Sequence, residues 1–164
     1  MNILSFDVGG TTIKAGLVNK DLEIQEKFTE DTPKNEESFI SLIEEIHKVR
    51  TDKCDKVSFG MPGFVDRDNY VFKYGTNMKF SIDFKKLEFF DEKKLYIEND
   101  GNLAAYSEFV LNLSDKYKNV IMLTFGTGIG GGIITYSKIY KGGGNAGEIG
   151  PVSYTHLTLP TTRY

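Results

Sequence analysis

The sequence has few of the features that would place a protein outside the cytosol or on a nucleic acid. Its single cysteine, Cys54, rules out an internal disulfide and fits a reducing compartment. No apolar run approaches the ~20 residues that span a bilayer, and Met1 runs into a strand pattern without a basic leader. The net charge of −3 at pH 7 leaves no basic face for nucleic acid or anionic membrane. We therefore expect a cytoplasmic protein that binds neither.

Glycine is what the sequence has in quantity. Of the 17 glycines, eight lie between residues 126 and 144. The remaining composition, 40% hydrophobic and 26% charged over 164 residues, is ordinary for a globular protein. The length fits one domain, or one domain with part of another.

Hydrophobic periodicity predicts an α/β chain. Residues 3–8, 13–18 and 22–29 read as three strands of an antiparallel meander. Residues 35–50 predict an amphipathic helix whose apolar face comprises Phe39, Leu42, Ile43, Ile46 and Val49. Further along we expect a strand at 56–61, an irregular stretch at 66–79, a short helix at 83–90, a strand at 94–97, a helix at 103–111, a polar connector at 114–119, a buried strand at 120–125 and a strand at 133–140 that turns near residue 137.

The first candidate site is the run Asp7-Val8-Gly9-Gly10-Thr11-Thr12. Its glycines let the backbone approach a phosphate closely. Asp7 would be repelled by phosphate, but it suits a hydrated Mg²⁺ that neutralises phosphates. The alternative is an ordinary hairpin with a Gly-Gly turn. Lys14, on the next strand, either approaches phosphate or faces solvent.

A second glycine turn spans residues 126–132 and also links two strands. It lacks the Gly-Lys-Ser/Thr of a Walker loop, and the strand that follows excludes a dinucleotide-binding fingerprint, which needs a helix there. Five glycines in seven residues cost backbone entropy that a merely structural hairpin hardly needs. Phosphate binding and a structural hairpin both remain open at this point.

Between the two glycine turns, Asp100 lies at a strand-to-helix junction in Glu98-Asn99-Asp100-Gly101-Asn102. Asp and Asn are common N-caps of helices, so a structural role is one interpretation. A catalytic carboxylate is the other, and it is favoured when the two glycine turns are considered with it.

Together these segments resemble the ROK family, which groups sugar kinases with sugar-responsive repressors. The resemblance runs through Asp7-Val8-Gly9-Gly10-Thr11, Gly60-Met61-Pro62-Gly63, Glu98-Asn99-Asp100-Gly101-Asn102-Leu103-Ala104-Ala105, Gly126-Thr127-Gly128-Ile129-Gly130-Gly131-Gly132 and Gly147-Glu148-Ile149-Gly150. It implies the small lobe of an actin-like ATPase, a ribonuclease H-like α/β fold with a mixed sheet, over residues 1–115. Residues 116–150 would then be the first strands of a truncated second lobe.

The resemblance also implies the site: ATP and Mg²⁺ as cofactors, a hexose or N-acylhexosamine phosphorylated at its 6-hydroxyl, and a homodimer in the full-length protein. Asp100 would be the catalytic base and Asp7 would lie near the metal. The residues implied to hold ATP are Asp7, Gly9, Gly10, Thr11, Thr12, Gly126, Thr127, Gly128, Gly130 and Gly131. Those implied to bind the sugar are Gly63, Asn77, Asn99, Asp100 and Glu148.

Residues 151–164 depart from the family pattern. Position 151 is Pro where the family has a His that often binds zinc, and the zinc cysteines are absent, so we expect no zinc site. The tail resembles translated sequencing-adapter sequence, and we predict that it is foreign to the fold and that the chain is an incomplete, inactive fragment. A ROK repressor is the alternative function. It is disfavoured because no DNA-binding domain precedes residue 3.

Overall fold

The computed structural model describes residues 1–75, 77–91, 94–125, 129–144 and 146–147. The strands are β1 (Asn2–Val8), β2 (Thr12–Asn19), β3 (Ile24–Asp31), β4 (Lys56–Met61), β5 (Phe64–Asp66), β6 (Val71–Tyr74), β7 (Ile82–Asp83), β8 (Lys94–Asn99), β9 (Val120–Phe125), β10 (Ile129–Thr135) and β11 (Lys138–Ile139). The α-helices are α1 (Glu36–Lys48) and α2 (Asp100–Glu108), with 3₁₀ turns at Thr51–Lys53 and Phe84–Lys86 and a π-helical turn at Phe109–Leu113. None of the helices in these ranges is long and apolar enough to cross a membrane.

β1 lies at the centre of a five-stranded mixed sheet of order β3-β2-β1-β4-β8. The β1–β2 and β2–β3 pairs are antiparallel, which confirms the predicted meander. β4 runs parallel to β1, and β8 runs parallel to β4. The carboxyl ends of β1, β4 and β8 therefore meet at one edge of the sheet, and the predicted α/β class with a mixed sheet is confirmed.

Helix α1 packs against this sheet. It begins where predicted, because the Asn35 side chain accepts a hydrogen bond from the backbone N–H of Ser38 at 2.8 Å and so caps the first turn. Phe39, Ile43 and Ile46 are buried in the main core, as expected. Val49 is 66% exposed, contrary to the prediction, because the helix ends at Lys48.

Stacked phenylalanines tie the elements of the core together. The rings of Phe6 on β1 and Phe59 on β4 are parallel at 4.8 Å. Phe84 lies 4.7 Å from Phe59 and meets Phe39 of α1 edge-on at 6.3 Å. One aromatic cluster thus holds β1, β4, α1 and the 3₁₀ turn.

The segment between β4 and β8 differs from the prediction in two ways. Its first part is more regular than predicted, and its last part is less helical. β5, β6 and β7 form a small antiparallel sheet where an irregular stretch was expected. The helix expected over residues 83–90 is one 3₁₀ turn, with Asp83 accepting from the Lys85 N–H at 3.1 Å. Phe84, Leu87 and Phe89 are all buried without a helix, so the segment satisfies its apolar side chains by packing and avoids the costly nucleation of a short helix.

β9, β10 and β11 form a third, antiparallel sheet. The expected turn near residue 137 is confirmed, with positive φ at Tyr136 and Ser137 as in a type I′ hairpin. The prediction that residues 120–125 are buried is wrong. Ile121, Leu123 and Phe125 alternate along β9, so they share one face of the sheet, and they are 45–77% exposed because none of the described residues covers that face. The division of the chain at residues 115 and 116 stays a prediction.

Candidate active site

The strand register brings the first glycine turn and the β8–α2 junction to the same sheet edge. Asp7 on β1 pairs with Gly60 on β4, and Gly60 pairs with Glu98 on β8. On its other side Asp7 pairs with Lys14 on β2. Sites in open α/β sheets form outside the carboxyl ends of parallel strands. The carboxylates predicted to be functional are therefore at the edge where such a site is expected.

The turn between β1 and β2 is held by internal hydrogen bonds. Its own backbone closes it, as the Gly9 N–H donates to the Thr12 carbonyl at 2.9 Å. Thr32 also stabilises the turn. Its N–H donates to the Thr11 carbonyl at 2.8 Å, and its hydroxyl donates to the Gly9 carbonyl at 2.7 Å. Thr32 is 3% exposed. Sequence reasoning missed this residue, since nothing local links it to a turn more than twenty positions away.

At the β8–α2 junction the cap is Asn99 and not Asp100. The Asn99 Oδ1 accepts from the Asn102 N–H at 2.9 Å, so α2 begins at residue 100 and not at 103 as predicted. Asp100 is the first helical residue, is exposed, and accepts from the Gly101 N–H at 2.8 Å. The structural interpretation of the junction therefore applies to Asn99, and Asp100 is not needed as the cap.

Asp7 and Asp100 line one cavity of about 520 Å³. Lys14, whose orientation sequence reasoning left open, lines the same cavity, as does Lys27. The rest of the lining combines small residues with larger apolar side chains, among them Ser5, Ser58, Gly60, Phe6, Ile24 and Leu103. This arrangement offers carboxylates, lysines and room for a ligand beside the carboxyl end of β1.

Three of the predicted sugar-binding residues besides Asp100 lie within the described residues. The Asn99 Nδ2 donates to the Gly63 carbonyl at 3.1 Å, so these two residues are in direct contact. Gly63 has φ +147°, a conformation that favours glycine. Asn77 instead lies against Gly10 of the first turn, where a Cβ on Gly10 would be 2.3 Å from the Asn77 Cβ. Glu148 lies outside the described residues.

The second glycine segment was predicted to be a turn over residues 126–132, but residues 129–132 are part of strand β10 and pair with β9. These strand glycines pack against the start of α2. A Cβ on Gly101 would be 2.7 Å from the Gly131 carbonyl oxygen, and one on Gly132 would be 2.5 Å from the Ala105 Cβ. Some of the glycines of β10 thus have a packing reason that needs no ligand, which sequence reasoning had not weighed. Gly130 and Gly131 are near the Asp100 junction, whereas Gly126, Thr127 and Gly128 lie outside the described residues.

Buried Glu98 and half-buried Arg67 form an ion pair that sequence reasoning did not identify. The Arg67 Nη1 lies 2.5 Å from the Glu98 Oε2, and the two side chains are 26% and 9% exposed. Glu98 is the first residue of the motif Glu98-Asn99-Asp100-Gly101-Asn102. The only signal in the sequence for a special role of Glu98 is that a charged residue ends an apolar strand. Its partner cannot be found from sequence, because Arg67 is in a different element.

A second cavity of about 390 Å³ lies beside this pair. Its walls include Asp66, Arg67, Lys73 and Asn99. Hydrogen bonds from Asn69, followed by one from Lys73, hold the pKa of Asp66 below its usual range. Asp66 is therefore ionised at neutral pH, and the cavity mouth carries both signs of charge.

Fold and site together define an α/β protein with a mixed sheet, a glycine turn after its central strand, and an acidic strand-to-helix junction. The ROK family model matches residues 3–160, and the chain belongs to the ROK family. The family expected from the motifs is thus confirmed. The match also extends into residues 151–160, which lie outside the described residues, so the foreign origin of the tail stays a prediction.

Two relatives and one solved structure illustrate what the chain is similar to. The chain is 32% identical to a glucokinase of Thermotoga maritima, covering 93% of this chain and 50% of that protein. It is 31% identical to an N-acetyl-D-glucosamine kinase of Histophilus somni, covering 94% and 53%. A ROK family glucokinase from Streptomyces griseus, solved with glucose and AMPPNP, superposes with a TM-score of 0.76 at 29% identity, covering 90% and 49%. The chain spans about half the length of the relatives it matches.

Proposed function

We propose that the protein encoded by the complete gene transfers the γ-phosphoryl group of ATP to the 6-hydroxyl of a hexose or N-acylhexosamine. The observation that carries the proposal is the exposed Asp100 in a cavity that it shares with Asp7. The relatives named glucokinase and N-acetyl-D-glucosamine kinase support it, as does the fold shared with a glucokinase solved with glucose and AMPPNP.

Asp100 is the proposed base. Phosphoryl transfer needs mainly positioning and charge neutralisation, with one carboxylate to orient the attacking hydroxyl and accept its proton. Asn99 caps α2, and the Asp100 carboxylate accepts from the Gly101 N–H at 2.8 Å while it lines the cavity. The first turn of the helix fixes the position of its backbone at the cavity wall.

The sugar is proposed to lie against Asn99, Gly63, Asn77 and Glu148. Hydroxyl groups both donate and accept, so amide and carboxylate side chains are suitable partners. The bonds of Asn99 to Asn102 and Gly63 fix the plane of its amide before a sugar arrives. Preorganisation of this kind reduces the entropy cost of binding.

ATP is proposed to bind between the first glycine turn at residues 9–12 and the glycine segment at residues 126–131, with Mg²⁺ near Asp7. Mg²⁺ keeps several waters and takes few protein carboxylates when phosphates complete its coordination. Asp7 is exposed, and the described residues contain no group of three or more His, Cys, Asp or Glu side chains placed for a metal. This donor set fits Mg²⁺ held jointly with phosphates better than a metal held by protein alone. When bound, the ion would neutralise phosphate charge.

The remaining parts of the proposal concern the whole protein. We propose a cytoplasmic homodimer that takes a small sugar and binds neither nucleic acid nor membrane. Light scattering on the full-length protein tests the dimer.

The first prediction concerns Asp100. ADP release should be measured for the full-length protein with a panel of hexoses and N-acylhexosamines. Asp100→Asn should lower kcat on the preferred sugar by about 10²–10⁴-fold, because the proton acceptor is removed. Sugar binding, followed by calorimetry, should change little.

Asp52→Asn is the matched control, since Asp52 is exposed in a 3₁₀ turn away from the cavity. Its kcat should equal that of the wild type. Near-normal turnover by Asp100→Asn would refute the assignment of the base. A wild-type protein that phosphorylates no sugar but binds a DNA operator would favour the repressor.

A further inference from the structure

We infer that the Glu98–Arg67 ion pair positions the sugar-binding amide of Asn99 and, through it, the first turn of α2. This inference rests on the proposed function and adds two positioning residues to it. Neither residue is assigned a contact with substrate. They act through Asn99 and Asn102.

Glu98 is the hub of a buried hydrogen-bond network. It is 7% exposed, and its Oε1 accepts from the Asn99 N–H at 3.0 Å and from the Asn102 Nδ2 at 3.1 Å. Asn102 in turn donates its backbone N–H to the Asn99 Oδ1. One carboxylate oxygen therefore fixes both ends of the turn that carries Asp100.

Arg67 connects this hub to the other wall of the predicted sugar site. It directly follows β5, which begins one residue after Gly63, and its Nη1 meets the Glu98 Oε2 at 2.5 Å. Asn99 separately binds the Gly63 carbonyl. The β5 segment and the β8–α2 junction are thus joined by one charged and one neutral contact.

Burial makes this pair sensitive to the loss of one partner. A buried charge that loses its partner keeps its desolvation cost, so removal of either side chain disturbs its surroundings. Without Arg67, Glu98 would be expected to draw in water or shift, and the Asn99 and Asn102 bonds would shift with it. The effect should be local, because the five-stranded sheet does not depend on this pair for its core.

The contact uses one nitrogen of the guanidinium. Nη2 of Arg67 is buried and has no hydrogen-bond partner in the part of the chain that the structure describes. A contact through one nitrogen needs a positive charge but not the planar, two-pronged guanidinium of arginine. A lysine at position 67 should therefore restore part of the interaction with Glu98. Rescue by Arg67→Lys therefore distinguishes the ion pair from mere packing of the arginine side chain.

The test uses the full-length protein with Arg67→Met and Arg67→Lys. Lys86→Met is the matched control, because it also removes a cation from an ion pair. In that pair the Lys86 Nζ lies 2.6 Å from the Glu36 Oε2, and both residues belong to segments other than β5 and the β8–α2 junction. Arg67→Met should raise the sugar KM by about 10- to 100-fold with the ATP KM unchanged, and Arg67→Lys should recover part of this loss. Lys86→Met should leave both KM values at their wild-type level.

A second readout does not depend on turnover. Amide hydrogen exchange should quicken over residues 61–66 and 98–104 in Arg67→Met and stay at wild-type rates there in Lys86→Met. An unchanged sugar KM, equal rises in both KM values, or unchanged exchange in these two segments would overturn the positioning role. A wild type without kinase activity would overturn the proposed function instead, and the exchange data would still decide whether the pair holds the junction.

Discussion

Asn99 and Asp100 are neighbours with different roles at the helix start. Asn99 is 9% exposed, and its side chain accepts a hydrogen bond from the Asn102 N–H and donates one to the Gly63 carbonyl. Asp100 is exposed at the cavity wall. Both residue types are good helix caps, so the choice between them depends on which side chain points back over the first turn.

A second carboxylate, Glu36, links α1 to the segment before β8. Its Oε1 accepts from the Asp83 N–H at 2.9 Å and its Oε2 from the Lys86 Nζ at 2.6 Å. The Lys86 hydrogen bond, followed by the Asp83 backbone bond, holds the pKa of Glu36 below its usual value. The ionised form is therefore the one that stabilises the fold.

Glu36→Gln should lower the free energy of unfolding of the 164-residue chain by about 1 kcal/mol at pH 7. Because the folded-state pKa is lowered, this contribution is present above the unfolded pKa and disappears as the pH falls through the lowered one. Urea unfolding of both proteins between pH 7 and pH 3 measures it. Glu37→Gln, an exposed change in the same helical turn, should have little effect. A Glu36→Gln deficit independent of pH would contradict the ionic explanation.

At the scale of elements, α2 and β10 approach more closely than side chains normally permit. The Gly132 position would bring a Cβ within 2.5 Å of the Ala105 Cβ and 2.9 Å of the Gly101 carbonyl oxygen. Here glycine is required by the approach of two backbones and not by a turn. Helix–strand packing thus explains part of the high glycine content between residues 126 and 144.

Gly132→Ala should destabilise the chain by about 1–3 kcal/mol, because backbone atoms on the α2 side must move. Thermal unfolding measures the loss. Adding Ala105→Gly should recover only part of it, since the clash with the Gly101 carbonyl remains. Gly143→Ala is the control, as a Cβ there meets nothing within 4 Å. Equal stability of the two glycine variants would refute the close approach.

At the scale of the whole molecule, apolar side chains are distributed unevenly. Phe59 is 1% exposed and stacks on Phe6 and Phe84 inside the main core. Phe125 on the edge strand β9 is 77% exposed. Two phenylalanines that both lie in strands thus have opposite environments.

Phe59→Ala should destabilise the chain by about 3–5 kcal/mol, through lost burial and an unfilled cavity. Phe125→Ala should change stability by less than about 0.5 kcal/mol, because an exposed side chain loses little on truncation. Urea unfolding of the 164-residue chain compares the two. Similar losses in both variants would mean that β9 is covered in solution.

The sequence by itself determined the meander, α1, β4, the strand at 120–125 and the family. These depend on local periodicity, a cap residue or a motif of neighbouring residues, all of which are readable within one segment. The tertiary structure decided that Asn99 caps α2, that Glu98 pairs with Arg67, that β5–β7 form a sheet and that β9 is exposed. Each of these depends on residues from different segments meeting in space. Strand register and packing set those meetings, and neither is encoded in any single stretch of the chain.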